Sequence, residues 1–224
     1  MSSSSGPDII TNGLVLSLDA SDKKSYPGSG TTWFDRSGNR INGTLTNTPI
    51  YSPVNNGHFQ FATNTYIGTP NNTELDTQTP TVEVWVKTNA TTQNGFWFEK
   101  GTVNTQYSLF QEGNAIQWRI HIGGGYTNLS TSTATYMNTL NWYQVVATYS
   151  SGFRRLYING VLVNSDAQSG TISTNSVGAI IGSYNNGGYY YNGSLAICKV
   201  YKRALTLQEI QQNFNATKSR FNLI

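Results

Sequence analysis

Arg155-Leu156-Tyr157-Ile158-Asn159-Gly160-Val161-Leu162-Val163 decides the fold class. Two runs of strand-forming residues flank Asn-Gly, the dipeptide that accepts positive φ at both central positions of a primed two-residue turn. The segment reads as a tight antiparallel hairpin. Upstream, Thr81-Val82-Glu83-Val84-Trp85-Val86-Lys87 alternates cleanly, with the valines on one face and Glu83, Trp85 and Lys87 on the other. Residues 115–122 repeat the pattern, setting Ile116, Trp118 and Ile120 against Gln117, Arg119 and His121. Residues 142–149 are apolar on both faces, as in a central strand covered on both sides.

Further strands are expected at Leu14-Val15-Leu16-Ser17-Leu18, His58-Phe59-Gln60-Phe61 and residues 95–99, 107–111, 177–182 and 194–201. That makes about a dozen strands by alternation and turn signals. No long helical pattern separates them, which excludes βαβ units. Residues 23–57 are dense in turn residues, and Tyr26, Trp33, Phe34 and Tyr51 predict a loop packed on the sandwich. One short helix is predicted near the end. Thr206-Leu207-Gln208-Glu209 fits a capping box, and Leu207, Ile210 and Phe214 fall on one face. The expected organisation is a flexible tip over residues 1–8 followed by one all-β domain over 9–224.

Composition agrees. Only 11% of residues are charged, while fourteen tyrosines, nine phenylalanines and five tryptophans can supply a core. A net charge of +3 without a Lys/Arg run excludes a nucleic-acid stripe. Cys198 is the single cysteine, so no intrachain disulfide exists, and its apolar neighbours predict burial. The start, Met1-Ser2-Ser3-Ser4-Ser5-Gly6-Pro7, has no basic and apolar leader, and no stretch reaches transmembrane length. Synthesis in a cytoplasm, with no membrane partner, is the expectation.

Seven segments in order resemble the laminin-G-like, concanavalin A-like family: residues 13–19, 33–45, 81–87, 98–101, 142–149, 155–163 and 192–206. The resemblance covers residues 9–217 and implies a two-sheet antiparallel jelly-roll β-sandwich with one short C-terminal helix. Residues 18–33, from Leu18-Asp19-Ala20-Ser21-Asp22 to Trp33, with Asp35 and Ser37-Gly38-Asn39, resemble laminin-G-like proteins of tailed bacteriophages, notably those infecting cyanobacteria. That implies a non-enzymatic virion protein: a capsid decoration, head fibre or tail-fibre-associated domain. Its implied partners are other virion proteins, a host-surface glycan or further copies in a homo-oligomer. A free-standing bacterial carbohydrate-binding module is the alternative.

The residues carry no catalytic constellation. Enzymes on this sandwich use carboxylates alternating along one strand, and no Glu-x-Asp-x-Glu pattern occurs. Glu74-Leu75-Asp76 comes nearest but lies in a loop. The two histidines, His58 and His121, neighbour no nucleophile pattern, and one cysteine offers no zinc spacing. Family members often hold calcium near the sheet edge. Here Phe61-Ala62 lacks the acid many relatives carry, leaving Asp19, Asp22 and Asp35 as candidate ligands, with turn capping the preferred role.

For binding, Tyr184, Asn185, Asn186, Tyr189, Tyr190 and Tyr191 form a Gly/Asn-rich loop suited to a sugar, rings covering its apolar face and amides taking its hydroxyls. Trp97 and Arg119 are further candidates on the polar faces of their strands. The same tyrosines equally suit a protein interface or burial over the sandwich.

Overall fold

The computed structural model describes residues 7–101, 106–150, 152–184 and 187–223. In chain order the strands are β1 (Leu14–Asp19), β2 (Thr32–Trp33), β3 (Gly43–Thr46), β4 (Ile50–Ser52), β5 (His58–Phe61), β6 (Tyr66–Gly68), β7 (Thr81–Thr88), β8 (Gly95–Lys100), β9 (Tyr107–Glu112), β10 (Ala115–Ile122), β11 (Gly125–Ser132), β12 (Tyr143–Ser150), β13 (Gly152–Ile158), β14 (Val161–Gln168), β15 (Ala179–Ile181) and β16 (Gly193–Tyr201). Helix α1 spans Thr133–Tyr136 and helix α2 Leu207–Thr217. The first eight-stranded sheet runs β14-β13-β12-β7-β16-β5-β4, with β1 also pairing β16; the second runs β11-β10-β9-β8-β15-β6-β3-β2.

The inward halves of the alternating strands form the core. Val82, Val84 and Val86 of β7 meet Leu109, Trp118 and Ile120 of the second sheet in one buried cluster. The predicted hairpin joins β13 to β14, with Asn159 at φ 51° and Gly160 at φ 75°, the backbone that the Asn-Gly dipeptide foretells. Cys198 is buried.

The loop region behaves mostly as expected, but it contains β2, β3 and β4. Asp35 organises it: the amides of Ser17 (2.8 Å), Ser37 (2.8 Å) and Ile41 (3.0 Å) all donate to its carboxylate. Tyr26 and Trp33 are buried, whereas Phe34 stands out to solvent, contrary to expectation, because its neighbours turn their side chains inward. Strand β11 escapes prediction because Gly125-Tyr126-Thr127-Asn128-Leu129-Ser130-Thr131-Ser132 is largely polar on both faces, a pattern an edge strand tolerates.

Helix α2 covers the outer face of the first sheet. The Thr206 hydroxyl and Glu209 carboxylate form the predicted capping box. Ile210 packs with Val146, Tyr157, Tyr201 and Leu205, and Trp85 stacks with the rings of Phe214 (5.8 Å) and Phe221 (4.4 Å). Leu207, expected on the buried face, is exposed; Asn213 and Thr217 are buried in the contact instead. Asn213 is there for a polar reason. Its Nδ2 donates to the fully buried Glu83 at 2.7 Å, which also accepts from Gln144 Nε2 at 3.1 Å and Lys199 Nζ at 3.4 Å. Asp8, assigned to the tip, is held by a bond from Gln212 Nε2 to its carbonyl.

Candidate functional site

The outer face of the second sheet carries an aromatic cleft. Pairing aligns Phe96, Phe110, Gln117 and Ser130 in one cross-strand row, and Glu99, Ser108, Arg119 and Asn128 in the next. A bulge between Phe96 and Phe98 breaks the alternation of β8, so Phe96 faces out while Trp97 and Phe98 both enter the core.

Phe96 stacks on Phe110 with ring centroids 4.2 Å apart, and both are nearly inaccessible to water, forming a floor. Tyr184 tilts over Phe96 at 5.0 Å and meets Tyr189 edge-on at 5.9 Å. Arg119 lies between two rings, its guanidinium carbon 4.5 Å from both the Phe110 and Tyr126 centroids, and its Nε donates to Asn128 Oδ1 at 3.0 Å. Together with Asn94 and Glu112, these groups line a cleft of about 360 Å³. Tyr189 and Tyr126 remain more than half exposed at its mouth.

Backbone hydrogen bonds, one of them from β8, hold Tyr184, Tyr189 and Tyr191 in place. Tyr184 N donates to Gly188 O at 3.1 Å, Phe96 N to Tyr189 O at 3.2 Å and Tyr191 N to Gly182 O at 2.9 Å. Burial, then the nearby Glu99 carboxylate, raises the Tyr184 phenol above its ordinary value despite Arg119, so it stays a hydroxyl donor at neutral pH. Burial first, and then the Arg119 charge, pushes His121 down to about 4, leaving a neutral imidazole. Flat rings, a phenol and a fixed guanidinium suit a polyhydroxylated ligand.

Of the expected site residues, the structure brings Tyr184, Tyr189 and Arg119 together. Tyr190 is half-buried beside them and does not line the cleft. Trp97 and Tyr191 are corrections: both are fully buried, their rings in an edge contact at 6.2 Å, because the β8 bulge and the inward start of β16 turn them into the sandwich. Asn185 and Asn186 lie outside the described residues. Phe96, Phe110 and Tyr126 were not foreseen. Phe110 had left a signal, an apolar residue in phase with Ser108 on the otherwise polar face of its strand.

The carboxylates proposed for calcium do not converge. Asp19 pairs with Arg220 at 2.6 Å, Asp22 caps Lys24 N at 2.8 Å and faces Arg36, and Asp35 takes the loop amides. Among the described residues no three His, Cys, Asp or Glu side chains are placed to share a metal ion. Their oxygens already accept donors of the chain, which does not fit a calcium set. Glu74 and Asp76 also diverge, the first to Lys202 at 2.9 Å and the second to Lys100 at 3.0 Å. No helix among the described residues is long and apolar enough to cross a membrane.

A laminin-G family model, described as the concanavalin A-like lectin/glucanases superfamily, matches residues 61–211. The chain belongs to this superfamily. No curated protein sequence matches it. Solved structures with the same fold include the binding domain of Paraclostridial Mosquitocidal Protein 1, 17% identical with a TM-score of 0.72, covering 92% of this chain and 52% of that one. The binding domain of botulinum neurotoxin DC in complex with rat synaptotagmin II is 15% identical with a TM-score of 0.74, covering 93% and 52%. The same toxin's binding domain in complex with SialylT gives 15% and 0.72, covering 92% and 52%. This concanavalin A-like chain thus spans about half the length of those neighbours. They are clostridial toxin domains, so the expected bacteriophage kinship finds no counterpart in them.

Proposed function

We propose that this concanavalin A-like domain is a non-enzymatic binding module that takes carbohydrate in the cleft between Tyr184, Tyr189, Tyr126 and Arg119. The observation that carries the reading is the Tyr184–Tyr189 pair, with Tyr189 exposed at the mouth, held beside Arg119 over the Phe96–Phe110 floor. A ring covers the apolar face of a sugar, while the phenols and guanidinium supply hydrogen bonds to its hydroxyls. The neighbouring toxin domains, recorded as binding domains with a protein partner in one case and SialylT in another, support a binding role by fold analogy alone. The test is a glycan array probed with the wild-type chain and with Tyr189→Ala. Binding that the substitution removes supports the reading; equal binding by both proteins refutes the cleft.

The setting we propose is the virion of a tailed bacteriophage, as a capsid decoration or fibre-associated protein, with other virion proteins as partners. It rests on the resemblance of residues 18–39. Recovery of the chain in stoichiometric amounts from purified particles supports it, and absence from them ends it.

A further inference from the structure

A second depression lies on the other sheet. It has a volume of about 600 Å³, within the range of small-molecule sites, and crosses the outer face of β4, β5, β16 and β7 beyond the end of α2. Register places Gln60, Ser194 and Lys87 side by side on adjacent strands. At one end His58 stands against Trp142 with centroids 5.2 Å apart, its Nδ1 3.0 Å from the Val54 carbonyl. At the other, Asn89 Nδ2 donates to Asn192 Oδ1 at 2.8 Å, fixing an amide pair on the rim. Ile50 and Val54 are 66% and 63% exposed along the side.

Several polar atoms of this groove, unlike His58 Nδ1 and the Asn89–Asn192 contact, are left without a partner among the described residues. Lys87 is half-buried, yet its ammonium makes no hydrogen bond or ion pair with any described residue. The side-chain polar atoms of Gln60 and Ser194, Asn89 Oδ1 and Asn192 Nδ2 likewise have no partner among the described residues. A cation partly withdrawn from water and lacking a counterion favours an anionic guest. Neutral amides and a hydroxyl on neighbouring strands, about 4.8 Å apart, suit a guest that also presents several hydroxyls.

We infer that this groove is a second carbohydrate site, selective for a saccharide bearing a carboxylate, with Lys87 as the acid's partner and Gln60, Ser194, Asn89 and Asn192 on the hydroxyls. The inference does not depend on the tyrosine cleft, which lies on the opposite sheet. Titration calorimetry of the full chain tests it with trigalacturonate, 3′-sialyllactose and a hyaluronan tetrasaccharide. Maltotriose and inorganic phosphate at matched ionic strength serve as controls. At least one acidic saccharide binds, Lys87→Met weakens it about tenfold or more, and Lys87→Arg keeps it within about threefold. Tyr189→Ala leaves that affinity within about twofold of the wild type. The inference is overturned if none of the three saccharides binds, if Lys87→Met binds as the wild type does, or if maltotriose or phosphate binds the Tyr189→Ala chain as well as the acidic saccharides do. Loss through Tyr189→Ala instead of Lys87→Met also overturns it, while leaving the cleft reading intact.

Discussion

Glu83→Gln isolates the role of a carboxylate sealed between the first sheet and helix α2. Its two oxygens accept from three donors: Gln144 Nε2 and Lys199 Nζ on Oε1, and Asn213 Nδ2 on Oε2. Glutamine keeps the shape but offers one acceptor oxygen and no charge. Hydrogen bonds to a charged group contribute about 1.5–3 kcal/mol against about 0.5–1.5 for neutral ones, so three weakened bonds amount to about 3 kcal/mol. One donor also faces the new amide nitrogen, and Lys199, 3% exposed, keeps its charge without a counterion. Breaking a buried pair from one side costs about 3–5 kcal/mol, in agreement with that sum. With a urea m-value of about 1–3 kcal/mol/M, the denaturation midpoint falls by at least about 1 M. Lys199→Met alone destabilises similarly, but the double variant loses less than the sum by about 1–3 kcal/mol, because neither buried charge remains. A Glu83→Gln midpoint within error of the wild type, or strictly additive losses, refutes the assignment of Glu83 to anchoring the helix.

Trp97→Ala lowers stability by about 3–5 kcal/mol in urea melts, as expected of a core indole, whereas Tyr189→Ala changes it by less than about 0.5 kcal/mol. Equal losses contradict the inward turn of β8. Arg203 donates to both oxygens of Glu209 at 2.8 and 2.6 Å and, with the Thr206 bonds, holds its carboxyl at about 2 against an ordinary 4.5. A depressed folded value means stability that is complete above about 4.5 and is lost as pH falls through about 2. Glu209→Gln therefore flattens the acid limb of the stability–pH curve across that window, and an unchanged slope contradicts the pairing.

The fold was legible because it is written in short-range chemistry. Alternation in residues 81–87 and 115–122 and the Asn159–Gly160 turn each specify local geometry with little help from distant contacts. The missed strands were those whose pairing depends on neighbours: β2, β3, β4 and β6 are four residues or fewer, and β11 is largely polar. Half of the site was legible for a related reason. Glycine and asparagine marked 183–192 as a loop, so exposed tyrosines were expected, and two of them line the cleft. Which tyrosines turn inward was not legible, because Tyr191 is directed by packing against Trp97 and Phe61. The bulge that exchanges Phe96 for Trp97 leaves no mark in composition. The alternation at Lys87 placed it outward correctly, but the groove around it joins strands from three separate stretches of the chain.

Whether sugar binds between Tyr184, Tyr189 and Arg119 can be read from backbone amide chemical-shift mapping with the strongest array ligand. Saturable shifts are expected to concentrate at residues 95–97, 109–112, 117–120, 125–128 and 183–191. These shifts vanish in Tyr189→Ala while the rest of the spectrum is unchanged. Saturable shifts confined to the edges of the sandwich, or a Tyr189→Ala spectrum that titrates like the wild type, contradict binding in the cleft.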